Sequence, residues 1–323
     1  THRPAIELAR ELMTVLPRGL CRFNYCDNGS SAVECALKMA FQYQHQIGQT
    51  RRTRFMCLDS SYHGETIGAL SVGSMDLYAR IYKPMMMHNI HLEGLDCFRC
   101  PYGKTRETCD VECFASAEEA FAAHGRETVA VVVEPVLQGA AGMRIYPPLY
   151  LKKLRELCDR YGVLMIDDEI AAGFGRTGKF FAIEHAGVSP DILCTSKGLT
   201  AGYMPMSIAI TTEAIYQAFY DDYEKHKAFV HSHTYAGNPL GCVIALTVLR
   251  IMKRDHLLER VNTLGKELHE ELMKALGNHP HVGEIRHIGL INAIELVEDR
   301  KTKKSFSRKK RIGWHIFRKA MEK

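Results

Sequence analysis

Several classes of protein are excluded by what this sequence lacks. No apolar run approaches the roughly 20 residues a helix needs to cross a bilayer, and no basic–apolar–small segment of the signal-peptide type opens the chain. The expectation is a cytoplasmic protein with no membrane partner. Internal repeats and low-complexity tracts are missing, which excludes solenoids and flexible arrays. Eleven cysteines are an odd count, scattered through apolar segments (Cys35, Cys158, Cys194, Cys242). That pattern fits reduced core thiols better than a disulfide framework. The net charge of +5 comes largely from one stretch: Arg300, Lys301, Lys303, Lys304, Arg308, Lys309, Lys310 and Arg311. Base-stacking aromatics are not interleaved with it. It therefore reads as a solvated loop entering an amphipathic helix with Trp314, Ile316 and Phe317, and no nucleic-acid partner is expected.

What is present is an ordinary globular composition, 46% hydrophobic and 24% charged over 323 residues, long enough to bury a full core. The chemistry gathers between residues 164 and 201. Leu164-Met165-Ile166 runs into Asp167-Asp168-Glu169, and Ile192-Leu193-Cys194 runs through Thr195-Ser196 into Lys197. Two short apolar runs each deliver a charged group at the carboxyl end. In a parallel sheet those ends open on one edge, where α/β proteins bind ligands. A carboxylate and a lysine offered to one crevice suit pyridoxal phosphate. The lysine can form a Schiff base with the aldehyde, and the carboxylate can hold the pyridine nitrogen protonated. A helix start and a surface lysine are the ordinary readings of the same two features. The turn Gly173-Phe174-Gly175-Arg176-Thr177-Gly178 between them, and the segments below, favour the cofactor.

In chain order, a helix is expected over residues 4–16 and a strand over 22–26. Asp27-Asn28-Gly29-Ser30-Ser31 follows, with Ser31 and Glu34 at capping-box spacing before the next helix. A Gly-Ser turn at a helix N-terminus offers amides, a hydroxyl and the positive end of the dipole to an anion. Beside a pyridoxal site it becomes the phosphate cup. A strand at 55–58 leads to Tyr62, an aromatic able to stack on a flat ring. Cys97, Cys100, Cys109 and Cys113 cluster in 17 residues, a fair zinc or iron–sulfur signal, although the spacing is not a standard finger and the proposed chemistry needs no metal. The β-branched run 129–133 reads as a buried parallel strand ending in Glu134. Pro147-Pro148 opens a helix that returns to a strand at 163–166, placing Glu134 and Asp168 on one sheet edge. Beyond Lys197 come a strand at 206–210, a helix at 213–223, a polar loop at 231–240, two helices, and paired strands over 282–296 turning at 287–289. The change of pattern near Pro239 predicts a large domain over 1–238 and the start of a smaller α+β domain over 239–323. The chain opens and closes within helical patterns, so both ends are expected to be cut.

With these segments in view, the chain resembles the class III aminotransferases of pyridoxal-phosphate fold type I. The order is that family's: Gly29-Ser30, Tyr62-His63-Gly64, Glu134-Pro135, Asp168-Glu169 with the Gly-Phe-Gly-Arg-Thr-Gly turn, Lys197-Gly198, and Thr234 before Gly237-Asn238-Pro239. Residues 62–73, 138–143, 196–205 and 231–235 are most similar to members acting on 8-amino-7-oxononanoate in biotin biosynthesis. The resemblance implies an α/β fold with a mostly parallel sheet flanked by helices, and a pyridoxal 5'-phosphate cofactor. It also implies a homodimer with shared sites, and adenosylmethionine or lysine as amino donor. Position by position, it makes Lys197 the anchoring lysine and proton carrier and Asp168 the partner of the ring nitrogen. Gly29 and Ser30 would bind the phosphate, and Tyr62 would lie by ring and substrate. Thr234, with the His233 backbone, would reach the phosphate of the neighbouring subunit, and Ser232 would edge the substrate pocket. Ala172 stands where threonine is usual, and Ser232 where glycine is common. The family's N-terminal aromatics and C-terminal carboxylate-binding arginine are not in this sequence, so a poor or inactive enzyme is expected of these residues alone. Two rival readings remain: an ω-amino-acid:pyruvate or 4-aminobutyrate transaminase of the same class, and a metal-binding scaffold organised by the cysteine cluster.

Overall fold

The computed structural model describes residues 1–322. Its centre is a seven-stranded sheet built from β1 (Leu20–Cys26), β2 (Arg54–Leu58), β3 (Ile90–Leu92), β4 (Thr128–Val133), β5 (Leu164–Asp168), β6 (Ile192–Thr195) and β7 (Ser207–Thr212). The order across the sheet is β1-β7-β6-β5-β4-β2-β3. β7 is antiparallel to both neighbours, and all other pairings are parallel. Six strands thus point the same way, and the carboxyl ends of β1, β2, β4, β5 and β6 reach one edge.

Burial explains the sequence of the central strands. All six residues of β4 are buried, but they divide by alternation. Val131 and Val133 join Leu151, Leu154 and Met165 on one face, while Ala130 and Val132 join Ala32, Val33 and Ile166 on the other. Helix α2 (Gly29–Gln46) covers the second face, and α4 (Pro148–Tyr161), with α1 (Arg3–Met13) and α3 (Ala115–His124), covers the first. This two-sided cover is why β4 reads as a continuous apolar run from Val129 to Val133. Pro148 lies in the first turn of α4, and Gly162 ends the helix at φ 66°, the left-handed stop that glycine adopts without strain. β5 begins two residues later.

Past residue 238 come α5 (Pro239–Arg254), α6 (Leu257–Leu276), the hairpin β8 (Val282–Ile288) and β9 (Ile291–Asp299), the short β10 (Lys304–Ser305), and α7 (Ile312–Met321). α1 and α5 pack together, and a contact of 2.7 Å links His2 Nε2 to the Gly237 carbonyl. Among the described residues no helix is long and apolar enough to cross a membrane.

Several boundaries differ from expectation. α2 starts two residues earlier than its expected cap, because Asn28 is extended and forms the capping box itself. The Asn28 side chain accepts from the Ser31 amide at 3.1 Å, and the Asn28 amide donates to Ser31 Oγ at 3.0 Å. Glu34 is consequently free for another task, accepting from the amides of Gly68 and Ala69. The helix expected over 213–223 stops at Phe219, where Tyr220 turns extended. The hairpin turns one residue later than expected, at Gly289-Leu290, with Gly289 at φ 56°.

Asn28→Ala should cost about 1 kcal/mol of stability, the usual value of an N-cap, read from urea midpoints. Glu34→Gln should leave that cap intact, so its effect should not match the cap loss in the same assay.

Candidate active site

The parallel strand ends bring together the groups singled out in the sequence. Gly29, Ser30, Tyr62, His63, Glu134, Asp168 and Lys197 all line one open cleft of about 420 Å³, within the size range of small-ligand sites. Three acids occupy the end of β5, and their environments separate them. Asp167 and Glu169 are fully buried; burial pushes Asp167 well above the usual carboxylate range and Glu169 to about 8. Glu169 also accepts from the Ile183 amide at 2.8 Å. Asp168 faces the cleft, on the α2 side of the sheet. Its Oδ2 lies 2.7 Å from His63 Nδ1, and its Oδ1 accepts from the Ile170 amide at 3.0 Å.

His63 gains from the fold a role that its sequence motif alone does not reveal. Burial disfavours its charged form, yet the hydrogen bond to Asp168 and the charges of Asp168 and Glu134 outweigh that, so its pKa is raised. The pair therefore fixes the Asp168 side chain in the cleft, braced from behind by the imidazole. The available signal was position: His63 adjoins Tyr62 just beyond β2, on the same edge as Asp168. Glu134, at the end of β4, accepts from the Gly139 amide at 3.0 Å and the Tyr62 amide at 3.2 Å. Burial is the main cause of its pKa rising to about 7; Asp168 adds to the rise, while His63 and the two amides oppose it.

Lys197 follows β6 at φ 39° and is solvent-exposed at the cleft, and Gly198 beside it is packed against Phe174 of the glycine-rich turn. A Cβ on Gly198 would stand 2.7 Å from the Phe174 Cβ, which couples that turn to the position of the lysine. In the same cleft the first turn of α2 presents Gly29 and Ser30, whose amides have no acceptor within the helix. Gly64 closes on Ser30: a Cβ there would stand 2.1 Å from Ser30 Oγ. The Tyr62 hydroxyl donates to Glu65 at 3.0 Å, and burial, with Glu65, pushes its pKa up to about 12. Tyr62 is thus a neutral aromatic at neutral pH. An anion-accepting helix start, a braced carboxylate and a lysine around one cleft fit pyridoxal phosphate: Gly29 and Ser30 for the phosphate, Asp168 for the ring nitrogen, Lys197 for the aldehyde.

Other expected residues are not brought into this cleft. Ser232 and Thr234 are exposed on the 231–240 loop, and His233 Nδ1 lies 3.2 Å from Asp27 Oδ2. None of the three lines the cleft of its own chain. Conversely Leu137, Gly139, Ala140, Met143 and Ile170 line it without having been singled out as site residues, and Ala172, noted as a departure, lines it as well. Cys97, Cys100, Cys109 and Cys113 border a separate narrow cavity of about 30 Å³ with Tyr146 and Tyr150. Burial pushes Cys97 up to about 12 and Cys113 up to about 11. Among the described residues no group of three or more His, Cys, Asp or Glu side chains is arranged to hold a metal ion.

The model of the family described as aminotransferase class-III matches residues 1–323. The chain belongs to the class-III aminotransferases. Members of this family depend on pyridoxal phosphate. The chain is 44% identical over 317 residues to the adenosylmethionine-8-amino-7-oxononanoate aminotransferase of Geobacter sulfurreducens, covering 98% of this chain and 70% of that protein. Identity to the enzyme of the same name from Nitratidesulfovibrio vulgaris is 45%, over 97% of this chain and 58% of that protein. The crystal structure of the enzyme so named from Methanocaldococcus jannaschii superposes with a TM-score of 0.92 at 35% identity, over 100% of this chain and 71% of that one. The expected fold, enzyme class and cofactor are therefore those of the family.

Glu134 predicts a pH effect in the cofactor-free protein. Its folded pKa, about 7, lies above the ordinary value of 4.5. The unfolded chain then releases this proton first, so stability falls as pH rises from 4.5 through about 7. Glu134→Gln should flatten that slope, measured as urea midpoints at a series of pH values across this window. An unchanged slope would show that Glu134 is not the group responsible.

Proposed function

We propose that the chain transfers an amino group to the oxo carbon of 8-amino-7-oxononanoate, giving 7,8-diaminononanoate in biotin biosynthesis, with adenosylmethionine or lysine as donor. The observation that carries the reaction type is the meeting of Asp168, braced by His63, with Lys197 in one cleft that a helix N-terminus also lines. The substrate rests on the relatives, which share that activity in their names across nearly the whole of this chain. Their names also weigh against an ω-amino-acid or 4-aminobutyrate transaminase.

The bound cofactor supplies an electron sink conjugated to the carbon that loses its proton. Lys197 Nζ would anchor it and would carry the proton taken from the donor carbon. Asp168 would partner the ring nitrogen, and His63 restrains its side chain by holding Oδ2. Gly29 and Ser30 bind the phosphate through amides and hydroxyl. Tyr62 would flank the ring, and Glu134 holds the Tyr62 backbone and the Gly139 amide in place. The same reading assigns residues 1–238 to a large cofactor-binding domain and 239–323 to the start of a smaller one. It also places two chains in a cytoplasmic homodimer, with Thr234 and the His233 backbone serving the neighbouring subunit's phosphate and Ser232 its substrate pocket.

The test is a half-reaction screen: aminated cofactor on the protein is challenged separately with 8-amino-7-oxononanoate, pyruvate and 2-oxoglutarate. Only the first should return the cofactor to its aldehyde; return with either of the others instead would favour the rival transaminase. Asp168→Asn should retain cofactor but slow the proton-transfer step by ~10²–10³-fold, the usual loss when a preorganised charge is removed. Single-turnover rates near wild type would remove Asp168 from this role.

A further inference from the structure

One wall of the cleft is held in place from far away in the sequence. Gly139, Ala140 and Met143 line the cleft, and the turn they form has an uncommon backbone. Gly142 sits at φ 97° and Met143 at φ 55°, the left-handed region that a residue with a Cβ rarely enters. The amides of Gly142 and Met143 both return to the Gly139 carbonyl, at 3.1 and 2.9 Å. The outward-facing carbonyls of Gly142 and Met143 are taken by a single side chain, Arg286 on β8. Its Nε donates to the Met143 carbonyl at 2.7 Å, and its Nη2 donates to the Gly142 carbonyl.

Arg286 is itself held from behind by two carboxylates. Its side chain is only 5% exposed, with Nη1 3.0 Å from Glu284 Oε2 and Nη2 3.0 Å from Glu295 Oε2. Those two carboxylates are shared with Arg106, at 2.5 Å, and Arg99, at 2.8 Å. The planar fork is thereby oriented before any ligand arrives, with Nε and Nη2 aimed at the turn. At the other end of the turn, the Gly139 amide donates to Glu134 inside the cleft. A continuous chain of bonds runs from the C-terminal hairpin, through Arg286, to the cleft wall.

We propose that Arg286 is a positioning residue for substrate: by holding the carbonyls of Gly142 and Met143 it sets the wall formed by Met143, against which the aliphatic chain of the amino acceptor lies. Met143 is 41% exposed, an apolar, adaptable surface suited to a methylene chain. Because Arg286 belongs to the hairpin, a movement of the hairpin relative to the sheet is transmitted to that wall. The inference rests on the aminotransferase reading of the cleft.

The test compares full-length holoenzyme with Arg286→Lys and Met143→Ala. Lysine retains a positive charge for Glu284 and Glu295 but cannot make the two-carbonyl fork. Arg286→Lys should raise KM for the oxo-acid acceptor by ~10-fold or more while kcat changes by less than ~3-fold, the signature of lost binding rather than lost chemistry. Cofactor content, read from the visible absorbance, should stay at the wild-type level, and hydrogen exchange over 139–143 should accelerate. Methylguanidinium added to Arg286→Gly should bring KM back down. Met143→Ala, which leaves the Arg286 network intact, should raise the same KM. A purely structural clamp would instead lower kcat, cofactor content and unfolding temperature together with KM unmoved, and that result overturns the proposal. If Arg286→Lys does not fold, an unchanged KM in Met143→Ala overturns it alone. Should the wild type aminate a different oxo acid, the substrate reading fails, and the same comparison is made on that acid.

Discussion

The site depends on one buried interaction, the 2.7 Å contact between His63 Nδ1 and Asp168 Oδ2 at the carboxyl edge of the sheet. A carboxylate facing a cleft is useful to a ring nitrogen only while it stays ionised and still. Burial works against ionisation, as the neighbouring acids show: Asp167 is driven well above its ordinary range and Glu169 to about 8. Asp168 differs from them in its partners, with the His63 imidazole behind it and the Ile170 amide beside it. Holding His63 there requires β2 to end level with β5, which the parallel register through β4 provides.

The same edge carries the other functional groups, each delivered by the element preceding it. β1 hands over to the Asn28-capped start of α2, β4 to Glu134, and β6 to Lys197 in a left-handed turn. Close packing between these loops sets their distances. Gly64 permits contact with Ser30, and Gly198 permits contact with Phe174, so neither position has room for a Cβ. The glycine-rich turn between β5 and β6 is thus packed into the lysine's support.

Much of this was legible in the sequence because it depends on local pattern. The β-branched run before Glu134, the proline–glycine limits of α4, and the apolar runs ending at Asp168 and Lys197 each carry a short-range signal. What the sequence did not show depends on contacts between distant segments. His63 acquires its role only when β2 is two strands from β5, and Arg286 only when the hairpin folds onto residues 142–143. The cap of α2 was misplaced because Asn28, Ser31 and Glu34 all have cap chemistry. The choice among them was made by Glu34 finding the Gly68 and Ala69 amides, a contact across 34 residues. The cysteine cluster was conspicuous in sequence, yet its thiols border a narrow cavity, and burial pushes those of Cys97 and Cys113 toward protonation.

The account centres on Lys197 as the group that anchors the cofactor opposite Asp168. Borohydride reduction of the pyridoxal-phosphate-loaded protein, followed by peptide mass mapping, tests this most directly. The predicted result is one phosphopyridoxyl group per chain, on the peptide carrying Lys197. Labelling at another lysine, or no stable label in a protein that turns over, would contradict it.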